Sequence, residues 1–161
     1  MKIALRRIFG AILAAVMMTA LPAAAGDAVL RVQGQTLYVP VYSHIYSGDR
    51  EHPFYLAATL SIRNTDVAHG LTLTSVDYYD TAGNLLRHYL DAPVTLGPLA
   101  SARYVVGERD KAGGSGANFI VTWSADAPVT VPIVESVMIG TQTQQGISFT
   151  SRAQVIAVRT E

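Results

Sequence analysis

Phe54-Tyr55-Leu56-Ala57-Ala58-Thr59-Leu60-Ser61-Ile62 is the stretch on which the fold turns. Phe54, Leu56, Ala58, Leu60 and Ile62 are apolar, and Tyr55, Ala57, Thr59 and Ser61 alternate with them. A period of two is that of a strand with one buried face, because successive side chains of an extended chain point to opposite sides. Asn64-Thr65-Asp66 and Gly70 break the run, and 71–79 begins the next strand. Leu71 and Leu73 are in phase with each other, whereas Val76 and Tyr78 are out of phase with them. One extra residue near Ser75, a β-bulge, would swap the faces and account for the slip. Asp80-Thr81-Ala82-Gly83-Asn84 then reads as a turn returning the chain as a hairpin through 85–90.

The same period recurs at 28–33, 35–42, 102–106, 118–124, 131–141, 146–151 and 153–158. Prolines 40, 93, 98, 128 and 132 fall where strands start, end or bend. No ten-residue stretch after the first 25 residues has helical periodicity. Without helices a sheet can be covered only by a second sheet. The expected fold is therefore all-β: an antiparallel β-sandwich of immunoglobulin-like type with about eight or nine short strands, a small barrel being the alternative.

The chain has 161 residues, 12 Lys+Arg against 12 Asp+Glu, and no cysteine. Lys2, Arg6 and Arg7 precede an uncharged apolar run at 8–21, and Pro22-Ala23-Ala24-Ala25-Gly26 follows it. This is the pattern of an export signal helix cleaved after Ala25, and Arg6-Arg7 leaves the general and twin-arginine routes both open. The run is short for a membrane span, which takes about 20 apolar residues. The expected organisation is a signal peptide at 1–25 and one domain at 26–161, periplasmic or secreted, with no stable membrane insertion after cleavage. Of the twelve basic residues the signal takes three, leaving nine against twelve acidic ones, a formal charge of −3. That excludes a global pull toward nucleic acid or anionic lipid and leaves room for a local patch. The missing cysteines exclude disulfide staples and a cysteine-borne lipid anchor.

Few motifs carry chemistry. Gly113-Gly114-Ser115-Gly116-Ala117 lacks the Gly-Lys-Ser/Thr ending of a phosphate cradle and the second glycine and helix of a nucleophile elbow, so Ser115 is not expected to be catalytic. The loop reads as a mobile connection in which glycines supply positive φ. His44, Asp49, Glu51 and His52 share the irregular segment 43–53 with Arg50. Their side chains are metal-ligand types, although the spacing matches no metal motif. His69 and His88 have no acidic partner evident from spacing. Tyr38 and Tyr42 fall on one face of a strand, with Tyr46 shortly after, a candidate platform for sugar rings or a partner protein. Trp123, alternating with Phe119 and Val121, reads as core. Glu135 shares a phase with Val131, Ile133, Val137 and Ile139, so it is expected to point toward apolar neighbours. There it would need a structural ion pair with Arg63, Arg103 or Arg152, several backbone N–H groups, or water at a strand edge.

Tyr38-Val-Pro-Val-Tyr-Ser-His-Ile-Tyr46, Val76-Asp-Tyr-Tyr-Asp80, Gly113-Gly-Ser-Gly-Ala-Asn-Phe119, Val137-Met-Ile-Gly140 and Gly146-Ile-Ser-Phe-Thr-Ser-Arg152 resemble an uncharacterised family of exported bacterial proteins, one of the domains of unknown function. The likeness spans about 38–156 and implies no catalytic or binding residue. Some members look like lipoproteins, from which this chain departs in having no cysteine. With no catalytic set and no cofactor motif, the expected function is a non-catalytic module binding a protein or cell-envelope component. Its contacts would use the 43–53 segment, the 107–117 loop, which holds Ser115, or a sheet edge. The alternative is a metal-binding protein or metal-dependent enzyme using His44, Asp49, Glu51 and His52. An adhesive or assembly component is a third possibility.

Overall fold

The computed structural model describes residues 29–47, 49, 51–141 and 146–159. The segment read as an export signal lies outside the described residues. Among these, every regular element is a strand: β1 (Arg31–Pro40), β2 (His44–Ser47), β3 (His52–Tyr55), β4 (Ala57–Arg63), β5 (Leu71–Tyr79), β6 (Leu85–His88), β7 (Val94–Leu96), β8 (Ser101–Val106), β9 (Asn118–Thr130), β10 (Ile133–Gly140), β11 (Ile147–Arg152) and β12 (Gln154–Arg159). No described helix is long and apolar enough to cross a membrane.

Twelve strands exceed the eight or nine expected, because short pieces escape a periodicity of two. The segment 43–53, read as irregular, is largely the ribbon β2–β3, and β7 spans three residues. Conversely, the two runs read at 28–33 and 35–42 make a single β1. Its ladder to β9 shifts register between Val32 and Gly34.

One sheet runs β12-β1-β9-β5-β6, with β7 also paired to β5, and a second runs β11-β10-β4-β8. All pairings are antiparallel. The buried residues of both sheets belong to one cluster. Leu37 and Val39 of β1, Leu71, Leu73, Val76 and Tyr78 of β5, and Phe119, Val121 and Trp123 of β9 come from the first sheet. Ala58, Leu60 and Ile62 of β4 and Val134 and Met138 of β10 come from the second. Phe54, Leu56, Ala58, Leu60 and Ile62 are all buried, although pairing changes partner at Leu56, where β3 gives way to β4.

The slip in β5 is a register shift. Leu73 opposes Trp123 and Ser75 opposes Thr122, so Thr74 is the additional residue. Thr74 is exposed, and its hydroxyl donates to the Thr122 carbonyl at 3.1 Å. The bulge restores one buried face from Leu71 to Tyr78. The Asp80 turn closes as expected: the Asp80 carboxylate accepts the N–H groups of Ala82 and Asn84. The Asn84 side-chain amide, followed by these backbone N–H groups, holds the Asp80 carboxyl below its ordinary range.

β10 corrects the placement of Glu135. Val134, Ser136, Met138 and Gly140 face inward, whereas Ile133 and Ile139 are exposed. Glu135 is on the outward face with them, 3.9 Å from the Arg63 guanidinium. Both phases of β10 are apolar, so hydrophobicity alone does not choose between them. Polar cost does, since a serine hydroxyl is easier to bury than a carboxylate. The Ser136 hydroxyl is satisfied inside by the Pro40 carbonyl, tying the end of β1 to the second sheet.

Candidate functional site

The two segments singled out for contacts come together at one end of the molecule. The β2–β3 register sets His44 opposite Tyr55, Ile45 opposite Phe54 and Tyr46 opposite Pro53. Strand alternation then puts His44, Tyr46 and Tyr55 on one face of the ribbon and Ile45 and Phe54 on the other. Phe54 is buried in the core and Ile45 packs against it. On the outer face the His44 ring meets Tyr46 edge-on at 5.1 Å between centroids and Tyr55 at 6.0 Å. The Nδ1 atom of His44 is buried with no hydrogen-bond partner among the described residues. Lys111, from the 107–117 loop, holds its Nζ 4.1 Å from the centre of the Tyr55 ring. Tyr46 is 55% exposed. The result is an aromatic patch with a cation at its border, offering stacking area and a positive charge.

The glycine loop beside the patch is held at several points by hydrogen bonds. The Ser43 N–H donates to the Gly114 carbonyl at 3.0 Å, the Val41 N–H to Ala117 at 3.0 Å, and the Thr81 N–H to Gly113 at 2.9 Å. The Thr81 hydroxyl donates to the Gly113 carbonyl and accepts the Gly116 N–H. Gly114 has φ +81, the left-handed conformation expected of a glycine in this loop. Gly113 is required for space: a Cβ there would run into the Tyr78 hydroxyl, with Ser43 Oγ 2.8 Å away. Those two hydroxyls bond each other at 3.0 Å inside the protein. Burial pushes the Tyr78 phenol up, the bond from Ser43 opposing it.

The remaining expected residues do not join this cluster. Tyr42 packs edge-on against Phe149 at 5.7 Å, so it closes the side of the core. Tyr38 is half-buried in β1 opposite Ile120. The tyrosines therefore form no single platform. Asp49, Glu51 and His52 are exposed around the β2–β3 turn, with Glu51 at φ +50, and Ser115 is half-buried. Among the described residues no three His, Asp or Glu side chains stand close enough together to hold a metal ion.

Both histidines thought to lack acidic partners have one. His88 Nδ1 is 2.8 Å from Asp77 across β5 and β6, and His69 Nδ1 is 3.2 Å from Asp66. The first was legible in outline, since a hairpin closing at 80–84 brings 77 and 88 nearly opposite each other.

Asp66, read only as part of a turn, is the hub of the opposite end. Its carboxylate accepts N–H groups from Thr130, Ala68 and His69 and pairs with Arg31 at 2.9 Å. The N–H bonds from Thr130 and Ala68 hold its carboxyl far below the usual range, outweighing the effect of burial. Asn64 supports it, accepting the Asp66 N–H and donating to the carbonyls of His69 and Gly97.

Fold and site together define an all-β protein of antiparallel sheets with an aromatic, cation-bordered end. The chain belongs to a family of proteins of unknown function (DUF3124), whose family model matches residues 34–156. No curated protein matches it. The crystal structure of Thermotoga maritima 1070 is similar at 12% identity over 74% of this chain and 92% of that one, with a TM-score of 0.45.

Proposed function

We propose that the protein is an exported, non-catalytic module that binds a protein or another component of the cell envelope. Its domain, 26–161, is a β-sandwich of immunoglobulin-like type. The sandwich reading is supported by two antiparallel sheets that bury one shared core. Export is supported by the basic start, apolar run and Ala-x-Ala ending of 1–25. The observation that carries the binding reading is convergence: the 43–53 and 107–117 segments, far apart in sequence, are joined through Ser43 and Gly114, and Lys111 of the second reaches the ring of Tyr55 just beyond the first. An exposed tyrosine on a two-stranded ribbon gives contact area at little side-chain entropic cost, and a lysine at its border favours an acidic or hydroxyl-rich partner surface.

The test replaces Tyr46 with a photo-crosslinking amino acid in the native host. A discrete adduct in the envelope fraction is expected, absent when the same residue is placed at Ile156. With the captured partner purified, Tyr46→Ala should weaken binding by about tenfold without changing thermal stability. Wild-type affinity in both Tyr46→Ala and Lys111→Ala would sink the reading.

A further inference from the structure

The open face of the second sheet carries a charge opposite to that of the domain as a whole. Arg103 of β8, Arg63 of β4 and Arg152 of β11 are exposed on it, and Glu135 of β10 is the one carboxylate among its outward strand residues. The domain at 26–161 nevertheless has a formal charge of −3. An excess of arginine on one face of an acidic domain is a local field that favours anions there and nowhere else on that sheet.

The pairing of β4 with β8 arranges two of these arginines. Ser61 is opposite Arg103, and Arg63 is opposite Ser101. Directly paired and diagonal residues on one face lie within reach of long side chains, so two guanidinium groups and two hydroxyls alternate as on a checkerboard. With Thr59 they line an open depression of about 580 Å³. A space of that size takes a small organic molecule. Leu99 closes one side of it. That residue is 68% exposed and has φ +58, a backbone conformation that favours glycine, yet it sets a leucine side chain beside the depression rather than in the core.

Donors at the depression outnumber the acceptors the protein supplies. The Arg63 Nε donates to the Ser61 hydroxyl at 3.1 Å, while the Arg63–Glu135 separation of 3.9 Å is too long for a hydrogen bond. The Arg103 side chain has no hydrogen bond or ion pair with any described residue. Asp66, in the turn after β4, is 3% exposed and engaged by Arg31 and Thr130. Even with Glu135 given wholly to Arg63, Arg103 therefore keeps an uncompensated charge at the depression. A polymeric anion would need a track of cations, and none leads away from here. Val105, Ile133 and Ile139 are exposed apolar residues of the same face, and Glu135 stands between the depression and Arg152.

We infer that this depression binds a small hydroxyl-rich acid, a polyol or sugar frame carrying one phosphate or carboxylate. Arg103 and Arg63 take the oxyanion, whose paired oxygens match the planar guanidinium fork. The hydroxyls of Ser101 and Thr59 donate to and accept from those of the frame, and Leu99 covers its carbons. Glu135 opposes the bound charge and competes for Arg63.

The test is calorimetric titration of the protein, as its host produces it, with glycerol phosphate, glucuronate, inorganic phosphate and glucose. At least one of the two hydroxyl-rich acids should bind, inorganic phosphate at least about tenfold more weakly than that acid, and glucose not measurably. Arg103→Gln should weaken binding at least about tenfold without moving the thermal midpoint, since that side chain has no partner to lose. Glu135→Gln should strengthen binding about threefold by removing the opposing charge. No binding of either acid, or an unchanged affinity in Arg103→Gln, would overturn the proposal. Inorganic phosphate bound as tightly as the acid would overturn the part given to the carbon frame. Tyr46→Ala should leave these affinities as they are, so this site and the envelope-binding reading stand or fall separately.

Discussion

Gly113 has a hydrogen atom where any other side chain would collide with the buried Ser43–Tyr78 pair. Gly113→Ala should therefore lower unfolding free energy by about 2 kcal/mol. Gly116, whose nearest obstacle is the Thr81 methyl at 3.1 Å, should tolerate alanine better. Urea titration of the two variants checks this, and equal midpoints would show that the loop yields. The positive φ met at Gly114 was legible in the sequence as one reason for glycines in this loop, whereas the second reason, the space needed at Gly113, was not. The second reason depends on a tyrosine 35 positions away, and no local pattern contains it. Glu135 shows a different limit. Both phases of β10 are apolar, and the one carrying Ser136 rather than the carboxylate goes inward.

The bulge at Thr74 was legible because an apolar pattern that slips by one has few structural explanations. Deleting Thr74 leaves Leu71, Leu73, Val76 and Tyr78 in one unbroken alternation, so all four should stay inward on a regular ladder. The deletion variant is therefore expected to fold, as is Thr74→Ala, whereas a second residue inserted beside Thr74 should be strongly destabilising. Circular dichroism melts check this, and a deletion variant that fails to fold would refute the role given to the bulge. The β2–β3 ribbon was not legible, since strands of four residues with turn-forming neighbours carry too little alternation. They are strands because each supplies the other's backbone partners.

Acid stability is a property of the whole molecule that runs largely through Asp66, which joins β1, the end of β9 and the 64–69 turn. Its carboxyl is depressed in the folded protein relative to an ordinary value of 3.8. The ionised form therefore stabilises the fold above that ordinary value, and the contribution is lost as pH falls toward the depressed one. The urea midpoint should be flat from pH 7 to about 5 and fall below it. Asp66→Asn should start lower at pH 7 and fall less, and parallel curves for the two proteins would contradict this. Strand content, the bulge, the Asp80 turn, the core role of Trp123 and family membership could all be read from the chain alone, because each rests on local alternation, turn chemistry or a quoted motif. The union of the two contact segments, the His69–Asp66 pair and the Asp66 hub were decided only by tertiary structure. Each depends on which strand becomes whose neighbour, and that choice is made by the shared core of both sheets rather than by any one segment.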